Sequence, residues 1–367
     1  MSKTAPSSRP VMPVLRRRRR LVFPIIFLAV TSTYLWFPQI TWYGDKYSQT
    51  GPWSTQRNLE QLFVPIEDEL DCLHAKLQPS IHDEFKAANP IPNRVHFIYG
   101  LSNPYQKPGA GTFDFLCYLA VRSAIIALRP EKVSLHYTYI SEPPSPDANA
   151  SPLTNPWIKR LEDDITLVHH APEEQAAHVS DILRLKLLQS EGGVYLDMDS
   201  FALRSFTKIL KSPRGIVLGY EGGNRYGLCN AIMAAHPNST FVERWLDMYG
   251  GQDLSREWNY HSVILPGEMQ KEYPKEVCAL PPTTFFWPTW TWHHLEWMHE
   301  TLNRQEAQHW IAEIEKNGGS LFEDQLAYHA WSQMAWKRFL KDLTPGNVRT
   351  KNTRFNIMVR RFLQDDL

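Results

Sequence analysis

Residues 179–199 constrain this chain most, because the hydrophobic period changes partway along them, across two consecutive glycines. Before the glycines, Ile182, Leu183, Leu185, Leu187 and Leu188 predict a helix with a broad apolar surface. Ser180 can cap it, and Gly192-Gly193 stops it. After the glycines, residues 194–198 read as a buried strand leading into two carboxylates, Asp197 and Asp199. Asp181 and Arg184 are three apart and share one face of the helix. Period-two spacing puts Asp197 and Asp199 on one side of an extended backbone. Two acids at the carboxyl end of a buried strand suit a hard divalent cation that bridges to phosphate oxygens. The plainer readings are a surface ion pair for Asp181 and Arg184, worth about 0.3–0.5 kcal/mol, and loop acids or caps for the two aspartates.

The flanking sequence extends the same architecture. Residues 94–99 predict a short strand ending at Gly100, and residues 113–128 an apolar helix ending before Pro130. Residues 133–140 and 165–169 are further strand candidates, separated by a loop with Pro143, Pro144, Pro146, Pro152 and Pro156. Strands alternating with helices predict an α/β fold with a largely parallel sheet covered by helices. No G-x-G-x-x-G and no P-loop are present, which argues against a dinucleotide or Walker-type site.

Charge divides the chain. Its 39 basic and 39 acidic residues cancel, yet residues 1–44 hold seven of the basic ones and no acid, so the remainder carries −7. An acidic body argues against nucleic acid as a partner. Directly after Arg16 to Arg20 come 17 uncharged residues, 21–37, which as a helix rise about 25 Å, the short end of a bilayer span. Tyr34, Trp36, Trp42 and Tyr43 suit the far interface, and the arginines place the N-terminus in the cytosol. A cleaved signal peptide is the alternative, but no A-x-A-like site follows. The expected organisation is a basic cytosolic tail (1–20), a type II anchor (21–37), a stem (38–88), a catalytic domain (89–343) and a peripheral tail (344–367). A lumenal body agrees with the sequons at Asn149 and Asn238. There Cys72, Cys117, Cys229 and Cys278 can pair in three ways, and Cys117 can equally be a buried thiol.

The pattern Ser180-Asp181-Ile182-Leu183-Arg184, followed by Gly192-Gly193-Val194-Tyr195-Leu196-Asp197-Met198-Asp199, resembles the sugar-binding segment of glycosyltransferase family 32. It is similar also to the catalytic domains of large clostridial glucosylating toxins. Three further segments resemble family 32 in its own order: 92–100, with Tyr99; 230–237, with Asn230; and 327–336, with His329. The likeness spans about residues 89–340 and is strongest over 179–200. It implies a GT-A fold, a nucleotide-diphosphate sugar donor, Mn²⁺ or Mg²⁺, retaining transfer of a hexose to a glycan or glycolipid, and a Golgi membrane location. By position, Asp199 is the implied direct metal ligand, Asp197 a ligand of metal or ribose, and His329 a third ligand. Asp181 and Arg184 are implied to hold donor-sugar hydroxyls, with the arginine also near phosphate. Tyr99 is implied to stack on the base, where the family often has Trp, and Asn230 to contact substrate.

Each implied role has a structural rival. Tyr99 can be core, Asn230 a turn residue and His329 a satisfied helix histidine. The aromatic run 285–297 is core by default, although sugars stack their C–H faces on indole and one or two of its tryptophans can line an acceptor cleft. Two other function classes fit parts of the pattern. A haloacid-dehalogenase-like phosphatase also uses Asp-x-Asp after a strand, but wants Thr or Val where Phe201 stands. A membrane-tethered lectin or inactive transferase would bind sugar and transfer none.

Overall fold

The computed structural model describes residues 64–78, 89–102, 113–139, 151–171, 179–223, 225, 227–250 and 259–367. The expected cytosolic tail, membrane anchor, most of the stem and the sequon asparagine Asn149 lie outside them. No helix among the described residues is long and apolar enough to cross a membrane.

Seven strands form one mixed sheet: β1 (Arg94–Tyr99), β2 (Lys132–Tyr137), β3 (Thr166–His169), β4 (Gly193–Leu196), β6 (Ile216–Tyr220), β7 (Leu228–Ala235) and β8 (Val277–Leu280), in the order β3-β2-β1-β4-β7-β6-β8. All run parallel except β7, which is antiparallel to both its neighbours. Strands β5 (Ser200–Ala202) and β9 (Ala327–His329) form a separate antiparallel ribbon. The expected α/β class and largely parallel sheet are therefore present.

Alternation along β1 and β4 sorts the two faces of the sheet. Val95, Phe97, Tyr99, Val194 and Leu196 join one buried cluster with the helix Phe115–Leu128, while Ile98 and Tyr195 join another with the helix Val179–Glu191. Asp114 starts the first of these helices by accepting the Cys117 N–H at 3.0 Å, and Arg129 ends it in a left-handed conformation before Pro130. The sheet reverses its order between β1 and β4, and ligands of open α/β sheets bind outside the carboxyl ends of strands at such a point.

The glycine pair is required sterically. Gly192 has φ +64 and Gly193 has φ +108. A Cβ on Gly193 would lie 2.6 Å from the Arg94 carbonyl oxygen, and one on Gly192 2.6 Å from Pro237. Only a residue without Cβ lets the helix feed β4 directly into the sheet centre.

Two expected boundaries need correction. Residues 344–367 are not a peripheral tail. They form the helices Pro345–Thr350 and Arg354–Val359, and Phe355, Met358, Val359 and Phe362 are fully buried in the main core. The basic residues that suggested a solvated tail alternate with apolar ones that the core needs. The end of the expected stem also belongs to the body. Its helix Glu67–Leu73 buries Cys72 and Leu73, ties Cys72 to Cys278 by a disulfide, and pairs Glu69 with Arg225. Cys117 and Cys229 are buried free thiols.

Candidate active site

The two motif aspartates do not share a face by strand alternation. Strand β4 ends at Leu196, and a turn follows in which the Ser200 N–H donates to the Asp197 carbonyl at 2.9 Å. The turn, rather than the pleat, brings the carboxylates round to one place. The Asp197 N–H is held at 2.8 Å by the Ala231 carbonyl of β7. Asp197, Asp199 and His329 each offer one ligand atom within 4.8 Å of the others. His329 sits on strand β9, not on a helix, and its pairing with Ser200 of β5 delivers it beside Asp199.

Asp199 Oδ1 lies 3.1 Å from His329 Nε2, and its Oδ2 accepts the Ser332 N–H at 2.8 Å. Burial would raise its pKa, but His329 and the Ser332 N–H outweigh burial and hold the carboxyl well below the usual range. Burial likewise opposes charge on His329, yet Asp199 and then Asp197 raise it above its ordinary value. A divalent cation would replace the imidazolium proton in this arrangement. Two carboxylates and one imidazole are a donor set for a divalent cation, so the residues present fit a divalent metal.

Behind this cluster is a second network. Every nitrogen of the Arg184 guanidinium faces a protein acceptor. Nε donates to the Ser180 carbonyl (3.2 Å), Nη1 to the Asn230 carbonyl (3.0 Å) and Oδ1 (3.2 Å), and Nη2 to the Ser180 hydroxyl (2.9 Å). The same group pairs with Asp197 Oδ1 at 3.0 Å and Asp181 Oδ1 at 3.4 Å and lies 4.6 Å from the centre of the Tyr195 ring. Asn230 closes the circuit by donating to Asp181 Oδ1 at 2.8 Å, so it is no mere turn residue. Burial disfavours the guanidinium charge, but Asp197 and its neighbours keep the group firmly protonated. Asp197 is raised by burial, against the pull of Arg184. Arg184 thus acts as an internal brace between the helix, β4 and β7. The plain surface ion pair does not describe it, because it is 6% exposed.

Tyr99 ends β1 at the same edge of the sheet, but it is buried and packs edge-on against Phe113 at 5.3 Å. It belongs to the core cluster of that face. Two further residues, Tyr195 and Ser332, belong to the site although no motif role singles them out. Tyr195 donates its hydroxyl to Asp197 Oδ1 at 2.6 Å, and its position two before Asp197 is the signal that could have found it. Ser332 acts through its backbone and leaves no signal.

Residues 133–215 match the family described as "Glycosyltransferase sugar-binding region containing DXD motif". The chain is 28% identical, over 98% of its own length and 94% of the relative's, to Glucan organizing enzyme 1 of Cryptococcus neoformans var. grubii. A shorter match, 31% identical over 22% of this chain and 12% of the relative, is to Subversion of eukaryotic traffic protein A of Legionella pneumophila. Among solved structures, PaToxG Glycosyltransferase aligns over 82% of this chain and 97% of its own, at 13% identity and TM-score 0.37. The apo form of GlyE of Streptococcus pneumoniae TIGR4 aligns over 75% of this chain and 61% of its own, at 12% identity and TM-score 0.43. The family match, the near full-length relative and the Asp197–Asp199 turn agree, and the chain is a DXD-containing glycosyltransferase similar to family 32.

Proposed function

We propose that this chain is a retaining, metal-dependent hexosyltransferase of the GT-A type. It takes mannose, galactose or glucose from a nucleotide-diphosphate sugar and passes it to a saccharide hydroxyl of a glycan or glycolipid. The observation that carries this reading is the convergence of Asp197, Asp199 and His329 at the carboxyl edge of the sheet, beside the point where strand order reverses. Mn²⁺ or Mg²⁺ held by Asp199, Asp197 and His329 would supply positive charge for the departing diphosphate.

The chain's own residues set up the rest. Tyr195 and Arg184 fix Asp197 through one carboxylate oxygen. Ser332 and His329 fix Asp199 through both of its oxygens. Asp181 and Asn230, already bonded to each other, supply acceptor and donor groups of the kind that read donor-sugar hydroxyls. Arg184 is a positioning residue, since its nitrogens point at protein. Retention follows from attack on the face that the leaving group vacates.

Golgi residence as a single-pass type II protein, with this domain in the lumen, rests on the arginine run and the apolar residues 21–37. The name of the Cryptococcus relative suggests a glucan-linked role, which is compatible with a saccharide acceptor.

A thermal-shift panel of nucleotide sugars with and without Mn²⁺ tests the reading, because a ligand of the folded state stabilises by mass action. One nucleotide sugar should raise Tm only with the metal present. No shift with any donor, with or without metal, would sink it.

A further inference from the structure

Glu221 is a carboxylate at the active edge that the metal cluster does not use. It follows β6, which runs parallel to β4, so it emerges at the same edge as Asp197. Electrostatically it is coupled to His329, yet it is not among the three residues whose ligand atoms converge. Glu221 Oε1 accepts the indole N–H of Trp290 at 3.1 Å, and the Cys229 thiol bonds the same carboxylate.

Trp290 is the outlier of its aromatic run. Phe285, Phe286 and Trp287 are at most 1% exposed, whereas Trp290 is 47% exposed. Its loop is nonetheless held fast on both sides. The Trp331 indole donates to the Pro288 carbonyl at 2.8 Å, and the Thr289 backbone N–H donates to His294 Nδ1 at 3.1 Å. Trp331 in turn sits against the His329 ring, 4.3 Å between centroids. An indole face is therefore presented to solvent, pre-oriented, from a loop tied to the segment that carries His329. A fixed ring loses little entropy when something stacks on it.

The chemistry of the pair selects its ligand. The indole face takes an apolar C–H surface, and the carboxylate accepts hydroxyl hydrogens. Among the described residues no Lys or Arg pairs with Glu221, so its carboxylate disfavours phosphate and favours an uncharged polyol. We propose that Trp290 and Glu221 form the subsite for a neutral pyranose ring of the acceptor. Trp290 stacks on the ring, and Glu221 receives one of its hydroxyls. This rests on the transferase reading and adds to it where the acceptor lies and that its bound residue is uncharged.

The test titrates the full chain, with Mn²⁺ and UDP or GDP present, against unlabelled glucose, mannose and galactose oligosaccharides, read by saturation-transfer NMR. The wild type should bind at least one series. Trp290→Ala should weaken that binding at least tenfold, Glu221→Gln several-fold, and Trp290→Phe less than threefold. All three should keep the thermal shift given by nucleotide and Mn²⁺. Equal saccharide affinity in Trp290→Ala would overturn the proposal. So would a wild type that binds no series, or loss of the nucleotide shift in Trp290→Ala, which would put the indole on the donor side. Failure of the transferase reading looks different: the wild type itself shows no nucleotide shift. Saccharide binding through Trp290 would then still support the subsite.

Discussion

His329 Nε2 lies 3.1 Å from Asp199 Oδ1, and the Ala330 N–H bonds the Asp199 carbonyl at 2.8 Å, so backbone and side chain both lock the last strand to the motif turn. The Ser200–His329 pairing of β5 and β9 therefore brings His329 to the motif aspartates.

Asp199→Asn should abolish transfer, with a loss of at least a hundredfold in turnover. An amide oxygen can still accept the Ser332 N–H, but the pairing with a charged His329 is gone. Stability should fall by about 1–3 kcal/mol, the cost typical of weakening a charged, buried hydrogen bond. Activity assays and urea melts of the same protein check both parts. Unchanged turnover would remove Asp199 from the chemistry.

His329→Ala should reduce affinity for Mn²⁺ while leaving the Ser332 contact to Asp199 in place. The wild type should gain about 2.7 kcal/mol at a metal concentration a hundred times Kd, and the variant much less at that concentration. Chelation should return the wild type to its metal-free Tm. A Mn²⁺ titration of Tm that is identical in the two proteins would exclude His329 as a ligand.

Arg184→Ala should cost about 3–5 kcal/mol, because it leaves the buried carboxylates Asp181 and Asp197 without their shared cation. Arg184→Lys should recover only part of this, since one ammonium cannot span Ser180, Asn230 and both acids. Equilibrium urea unfolding measures both variants. A loss below about 0.5 kcal/mol for alanine would return the residue to the class of exposed ion pairs.

Local features were the legible ones. The helix, the glycine pair and the strand after it lie within about twenty residues, where hydrophobic period and turn chemistry act directly. What was not legible depends on contacts between distant segments. The aspartates looked like strand neighbours, but the Ser200 N–H bonded to the Asp197 carbonyl shows that the chain has already turned, with the Asp197 N–H anchored on Ala231 of β7. His329 matched by pattern, but its strand pairing with Ser200 has no local signature. The tail from 344 looked solvated because its charges are exposed at Arg349 and Arg361, while Phe355 and Phe362 point inward from short helices. Glu221 carried no motif at all.

The choice of disulfide was equally a matter of distance in space. Cys72 and Cys278 are 206 residues apart in sequence, with Cα atoms 5.6 Å apart. Closing so long a loop restricts the unfolded chain by about 5 kcal/mol in the chain-entropy account. Cys72→Ser should lower stability by several kcal/mol in non-reducing urea melts. Native protein should show no fast-reacting thiol among Cys117 and Cys229, both buried with their ionisation pushed well up by burial. Rapid labelling of two thiols in the folded state would contradict this.

Two buried histidines contribute to the acid limb of stability. His299 stacks on Phe339 at 4.8 Å and is driven down to about 3 by burial, with Lys351 adding to it. His136 is also lowered to about 3, first by burial and then by His96 and His170, to both of which it is hydrogen-bonded. A folded value below the unfolded one of about 6.5 means that the unfolded chain takes up the proton first as pH falls. The stabilising difference is complete above about pH 6.5 and is lost as pH falls from there toward 3. Each such group contributes up to about 1.4 kcal/mol per pH unit in that window. His299→Leu should therefore show a shallower decline between pH 6 and pH 4 than the wild type, by up to that slope. Urea melts at half-unit pH steps measure it. Parallel declines in the two proteins would mean that His299 takes up its proton in the folded state without cost.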